Sequence, residues 1–200
     1  MKKNKIVVVG LGYVGLSNSV LLSLNNTVTA VDIDIEKVNL INKRLSPLKD
    51  KDIESYLKNE SLDLKAKIPY PDIYKDSVFV LIATPTNYDE ENHSFNTNSV
   101  EKVIHNAIDE NPNIIIIIRS TVPVGFTDAM NLRHQTNRIY FVPEFLREGN
   151  ALHDNLNPSR IIIGGSGDEF KIIESLLKEG TKKKDVDVLL MSAAEAESSK

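Results

Sequence analysis

The chain contains no cysteine. That absence excludes a disulfide framework, a cysteine-ligated metal and a cysteine nucleophile anywhere in these 200 residues. Long apolar runs are missing too, and no stretch approaches the roughly 20 residues of a membrane span. Lys2 and Lys3 precede an apolar segment, but it is short and runs straight into Gly10-Leu11-Gly12, without the cleavage site of a secretory signal. Nor is there an excess of positive charge. Lys and Arg number 24 against 28 Asp and Glu, for a formal net charge of −4 and a pI near 5.6. Composition therefore favours neither nucleic acid nor an anionic membrane as partner. The densest basic run, Lys182-Lys183-Lys184, reads as a solvated loop. The four histidines (His93, His105, His134 and His153) lack metal-ligand spacing, so no metal site is expected, and the first three read as surface residues. No repeat or low-complexity segment is present. The expectation is a soluble cytoplasmic protein, and 200 residues with 41% hydrophobic content suffice for one ordinary domain.

What is present is an alternation of short apolar runs with amphipathic stretches, the pattern of an α/β fold with a mostly parallel sheet. Ile6–Val9, Thr27–Val31, Val78–Ala83, Ile114–Ile118, Ile139–Val142, Ile161–Ile163 and Val186–Met191 read as strands. The five consecutive isoleucines of 114–118 belong in a central strand covered on both faces. Helices are expected over Val14–Leu24, with an apolar side made by Val14, Val20, Leu21 and Leu24, and over Ile35–Lys43, capped by Asp34. Further helices are expected near Ile53–Leu57, Thr97–Glu110 and Lys171–Lys178. Tyr88–Phe95 reads as a polar loop.

The first run of chemical interest is Gly10-Leu11-Gly12-Tyr13-Val14-Gly15, a G-x-G-x-x-G pattern between an expected strand and helix. Asp32 follows Gly12 by 20 residues, at the end of the second strand. That context makes the pattern a dinucleotide-binding signature. Gly10 permits a tight turn, Gly12 lets backbone approach a pyrophosphate, and Gly15 permits close helix–strand packing. The helix N-terminus, at Tyr13 and Val14, offers unpaired N–H groups to phosphate. Asp32 suits ribose hydroxyls and repels a 2′-phosphate, which favours NAD over NADP. Thr84-Pro85-Thr86-Asn87 and Arg119-Ser120-Thr121 follow strand ends, where an open α/β sheet binds its ligands; as sequence alone they are equally strand-ending turns. Pro143-Glu144-Phe145-Leu146-Arg147-Glu148-Gly149 reads either as a solvated turn or as a polar site wall.

Taken together, Gly10–Ser17, Ala83–Asn87, Ser120-Thr121, Pro143–Glu148 and Asn157-Pro158-Ser159-Arg160 resemble the UDP-glucose/GDP-mannose dehydrogenase family, in particular its UDP-glucose 6-dehydrogenases, in the same order and at similar spacing. The resemblance implies a Rossmann-type, doubly wound NAD-binding domain over residues 1–191. Residues 192–200, with Ala194-Glu195-Ala196-Glu197, would begin the helix joining it to a catalytic half. It implies NAD as cofactor and UDP-glucose as substrate, oxidised to the carboxylate in two NAD-dependent steps through a cysteine thioester. Thr86, Ser120 and Thr121 would line the nicotinamide side, and Lys37 would assist Asp32. Thr121 and Glu148 would place and activate the hydrolytic water, with Glu148 also beside the cofactor, and Lys200 would match a catalytic lysine. Glu144, Phe145, Leu146, Arg147 and Glu148 would meet the sugar and its diphosphate. The family's cysteine lies beyond residue 200, so the expectation is an N-terminal part, inactive alone, of an enzyme that dimerises as a homodimer through the linking helix. UDP-N-acetyl-mannosamine or GDP-mannose as substrate, and a stand-alone NAD-binding module, are the alternatives.

Overall fold

The computed structural model describes residues 3–89, 94–183 and 185–200; His93 and Lys184 lie outside the described residues, and with them their expected surface and loop placements. The chain runs β1 (Lys5–Val9), α1 (Tyr13–Leu22), β2 (Thr27–Val31), α2 (Ile35–Asn42), α3 (Lys51–Asn59), β3 (Leu64–Lys67), β4 (Phe79–Ile82), β5 (Tyr88–Asp89) and β6 (Ser94–Phe95). It continues through α4 (Asn98–Glu110), β7 (Ile115–Ile118), α5 (Phe126–Arg133), β8 (Ile139–Phe141), α6 (Ala151–Leu156), β9 (Arg160–Gly164), α7 (Phe170–Lys178), β10 (Asp187–Met191) and α8 (Ala193–Ser198).

Among the described residues, eight strands form one sheet in the order β10-β9-β8-β7-β4-β1-β2-β3. Every neighbouring pair is parallel except β8 with β9. The order reverses between β1 and β4, the switch point where a doubly wound sheet opens a ligand crevice. Consecutive apolar residues are needed because both faces are covered. Ile116 and Ile118 join Val103 and Ile104 of α4 and Phe126 of α5 on one side. Ile115 and Ile117 join a cluster with Ile173 and Leu176 of α7 on the other. The fold class expected from the alternation is therefore the one observed. Among the described residues no helix is long and apolar enough to cross a membrane.

Four local features differ from the expectations. The first helix is buried all round from Gly15 to Leu22 rather than amphipathic. Helices α3 and α6 cover the side that solvent would have taken, and Leu16 and Val20 pack with Leu57 and Leu152. Its polar residues survive burial by bonding to their own helix, as with Asn18 Nδ2 to the Val14 carbonyl at 2.7 Å. Strand β3 was not expected, because Leu64-Lys65-Ala66-Lys67 alternates as an edge strand with lysines outward. The amide of Asn42 pairs with both backbone groups of Ala66, each at 2.9 Å, and supplies the ladder on the open side. Helix α6 was likewise unread. The expected loop at 88–95 has ends that pair as β5 and β6, with Tyr88 and Phe95 edge-to-face at 5.3 Å.

Candidate cofactor and active site

Parallel register brings four chain segments to one edge. Val9 aligns with Val31 on one side and Ile82 on the other, and Ile82 aligns with Ile118. The residues that follow each strand end therefore surround one cleft of about 960 Å³. Its walls include Gly10, Gly12, Tyr13, Val14, Asp32 and Lys37 at one end. Thr86, Ser120, Thr121, Glu144, Leu146, Glu148 and Lys200 complete the other.

The glycine turn is fixed by two different constraints. Gly10 has φ +92°, and a Cβ there would lie 2.5 Å from the Ala83 carbonyl oxygen. Gly15 does not line the cleft; a Cβ on it would collide with the Gly10 carbonyl, so it serves helix–strand packing. Gly12 is the contrast. A Cβ there would meet nothing within 4 Å, so its side of the turn is open cleft. It is also the N-cap of α1 and no side chain caps that helix end, leaving first-turn N–H groups for an anionic ligand.

Asp32 is held in place by backbone. Its Oδ2 accepts the Leu11 N–H at 2.7 Å and its Oδ1 the Asp34 N–H at 3.0 Å. Lys37 Nζ stands 3.8 Å from Oδ2. Asp34 caps α2 as expected, accepting from the Glu36 and Lys37 N–H groups. A carboxylate has about four lone-pair sites, so Asp32 keeps acceptors for hydroxyl donors in the cleft. These features together fit the adenosine diphosphate part of a dinucleotide.

Beyond the glycine turn, Ser120 is buried and its hydroxyl donates to the Thr84 carbonyl at 2.7 Å, tying the two strand-end turns together. Thr86 and Thr121 are half-buried on the same wall. Lys200 donates to Glu144 Oε2 at 2.8 Å and to the Arg119 carbonyl at 3.0 Å. That ion pair is partly screened from solvent, with side chains 18% and 11% exposed. The Arg119 side chain is buried, and burial pushes its guanidinium below its ordinary value while the Glu144 carboxylate works in the opposite sense.

The segment after β8 divides between two cavities. Glu144 and Leu146 line both, Glu148 lines the main cleft, and Phe145 and Arg147 line only a neighbouring cavity of about 280 Å³. Arg147 forms a forked pair with Asp154 at 2.7 and 3.2 Å, and Arg160 stacks 4.7 Å from the Phe145 ring centroid. Sequence reasoning included Arg119 in a strand-end turn facing the cleft but passed over Ile33 and Pro69, which also line it. Ile33 is 88% exposed, and an apolar residue directly after Asp32 was the available signal.

Residues 4–185 match the family described as UDP-glucose/GDP-mannose dehydrogenase family, NAD binding domain. A UDP-glucose 6-dehydrogenase of Streptococcus pneumoniae is 43% identical over 202 residues, covering 98% of this chain and 51% of that protein. One from Campylobacter jejuni is 45% identical over 198 residues, covering 98% and 50% respectively. Among solved structures, a UDP-glucose dehydrogenase from Pyrobaculum islandicum superposes with a TM-score of 0.86 at 24% identity, covering 99% of this chain and 48% of that one. The chain thus spans about half the length of the curated relatives it matches. It belongs to the UDP-glucose/GDP-mannose dehydrogenase family, as its NAD-binding domain, and its cofactor is NAD.

Proposed function

We propose that this chain is the N-terminal part of a cytoplasmic UDP-glucose 6-dehydrogenase, which oxidises UDP-glucose to UDP-glucuronate in two NAD-dependent steps. The observation that carries the reading is the meeting, in one cleft, of the glycine turn with Asp32 and of Thr121, Glu148 and the Glu144–Lys200 pair. One end suits a dinucleotide and the other holds acid–base groups, as an alcohol oxidation requires. NAD supplies the hydride acceptor.

In this reading Gly10, Gly12, Tyr13, Val14 and Gly15 shape and line the pyrophosphate site, and Asp32 with Lys37 holds the adenosine ribose. Thr86, Ser120 and Thr121 form the wall for the nicotinamide. Glu148, also beside the cofactor, takes a proton from the hydrolytic water that Thr121 places, and Lys200 offers an ammonium to developing negative charge. Glu144 and Leu146 face sugar from the cleft, while Phe145 and Arg147 approach the diphosphate from the adjoining cavity. Residues 1–191 make the NAD-binding unit, and 192–200 begin the helix through which the complete enzyme forms a homodimer. The nucleophile is a cysteine outside these 200 residues, since they hold none. The isolated chain is accordingly inactive.

A substrate panel tests the reading. The complete gene product is expected to reduce NAD with UDP-glucose and to leave UDP-N-acetyl-mannosamine and GDP-mannose largely unused. Preference for either of the latter two overturns the substrate assignment.

A further inference from the structure

Glu197 is a buried carboxylate that the proposed chemistry does not use. It is 5% exposed on α8, and it reaches across to the start of α5. One carboxylate oxygen accepts the Gly125 N–H at 2.6 Å and the other accepts the Thr127 N–H at 2.8 Å. Gly125 is the N-cap of α5 with φ 91° and has no side chain to satisfy those donors. Glu197 supplies the missing cap from a remote part of the chain, as an anion at the positive end of a helix.

Lys200 follows Glu197 by three residues and stands just past the end of α8, whose last helical residue is Ser198. Lys200 grips the Arg119 carbonyl at 3.0 Å and Glu144 at 2.8 Å. Glu197 on α8 and Lys200 just past it therefore hold the two ends of the segment from Arg119 to Gly125, which carries Ser120 and Thr121. Close packing of Ala193 and Ala196 over Gly164 seats this short helix against β9, and Glu197 adds its polar tie to the start of α5. The geometry points to Glu197 as a positioning residue, docking α8 so that the Lys200 ammonium meets Glu144 at the wall of the cleft. This role rests on the dehydrogenase reading only where Lys200 is said to act in turnover.

Glu197→Gln keeps the volume but loses the charge and one of two acceptors, so the fold should persist by circular dichroism. On the 200-residue chain, amide exchange at Gly125 and Thr127 should quicken by about tenfold or more, the effect of losing one charge-assisted hydrogen bond. Acylation of Lys200 by an amine reagent, followed by mass spectrometry, should quicken as well. In the complete gene product with UDP-glucose, kcat should fall about tenfold while KM for NAD stays within about twofold, because the glycine turn and Asp32 are untouched. In a Lys200→Met background the same change should add less than about twofold. Unchanged Lys200 reactivity, or an equal kcat loss in both backgrounds, overturns the positioning role. A wild-type enzyme with no turnover of UDP-glucose overturns the UDP-glucose reading, and quickened acylation in Glu197→Gln would then still support the docking.

Discussion

The Asp32 carboxylate accepts the Leu11 N–H at 2.7 Å, so the residue that closes β2 also holds the glycine turn that follows β1. One side chain thereby serves two purposes, bracing the turn and presenting oxygen to the cleft. Replacing it removes both.

Asp32→Ala is expected to narrow the preference for NAD over NADP and also to lower stability by about 1–3 kcal/mol, because the Leu11 N–H is left buried without its acceptor. Asp32→Asn retains an acceptor and should lose cofactor preference with a smaller stability loss. Calorimetric titration with both cofactors, paired with thermal unfolding, separates the two effects. Equal affinity for NAD and NADP in the unmutated chain would refute the assignment of Asp32 to the ribose.

The glycines should part company on mutation. Gly12→Val projects into open cleft, so the chain should remain folded and lose NAD binding. Gly15→Ala forces a methyl group into the Gly10 carbonyl and should destabilise by about 1–3 kcal/mol or more. Circular dichroism melts and calorimetry check both. A folded Gly12→Val chain with normal NAD affinity would show that the pyrophosphate lies elsewhere.

Much of this arrangement was legible in the sequence because its causes are local. Five isoleucines in a row dictate a strand covered on both faces, and the spacing from Gly12 to Asp32 is one βαβ unit. Other features depend on partners far along the chain. Strand β3 is completed by Asn42, and the polar face of α1 is buried by α3 and α6, which nothing within its own residues announces. Glu197 stands in an Ala-Glu stretch that the resemblance reads as the start of a linking helix, and only the fold brings Gly125 and Thr127 to it. The roles given to Lys200 and Glu148 came from family resemblance; the structure puts both on the cleft wall.

Acid should loosen the segment after β8. The Arg147 guanidinium beside Asp154 holds that carboxyl below its ordinary value, with burial opposing it. A lowered folded-state value means that the pair's stabilisation is present above the unfolded carboxyl value of about 3.9 and is lost as pH falls through the folded value. Thermal unfolding of the wild type and Asp154→Asn should therefore differ near neutral pH and converge in acid. A difference that persists below the titration of Asp154 would mean that packing, not charge, holds the segment.

Glu148→Gln in the complete gene product should slow hydrolysis by about two orders of magnitude or more, the usual contribution of a general base. NADH release should then precede accumulation of a covalent sugar–enzyme adduct visible by intact mass. Turnover at the wild-type rate without an adduct would remove Glu148 from the chemistry and leave the NAD site standing.

The central claim is that this chain holds the cofactor and only part of the reaction site, and NADH formation by the isolated 200 residues tests it most directly. With NAD bound, shown by a saturable calorimetric isotherm, addition of UDP-glucose should yield no NADH even at high protein concentration, because the chain carries only part of the wall that would hold the sugar against the cofactor for the first hydride transfer and has no cysteine thiolate for the second. Sustained NADH production from UDP-glucose by this chain alone would contradict the account.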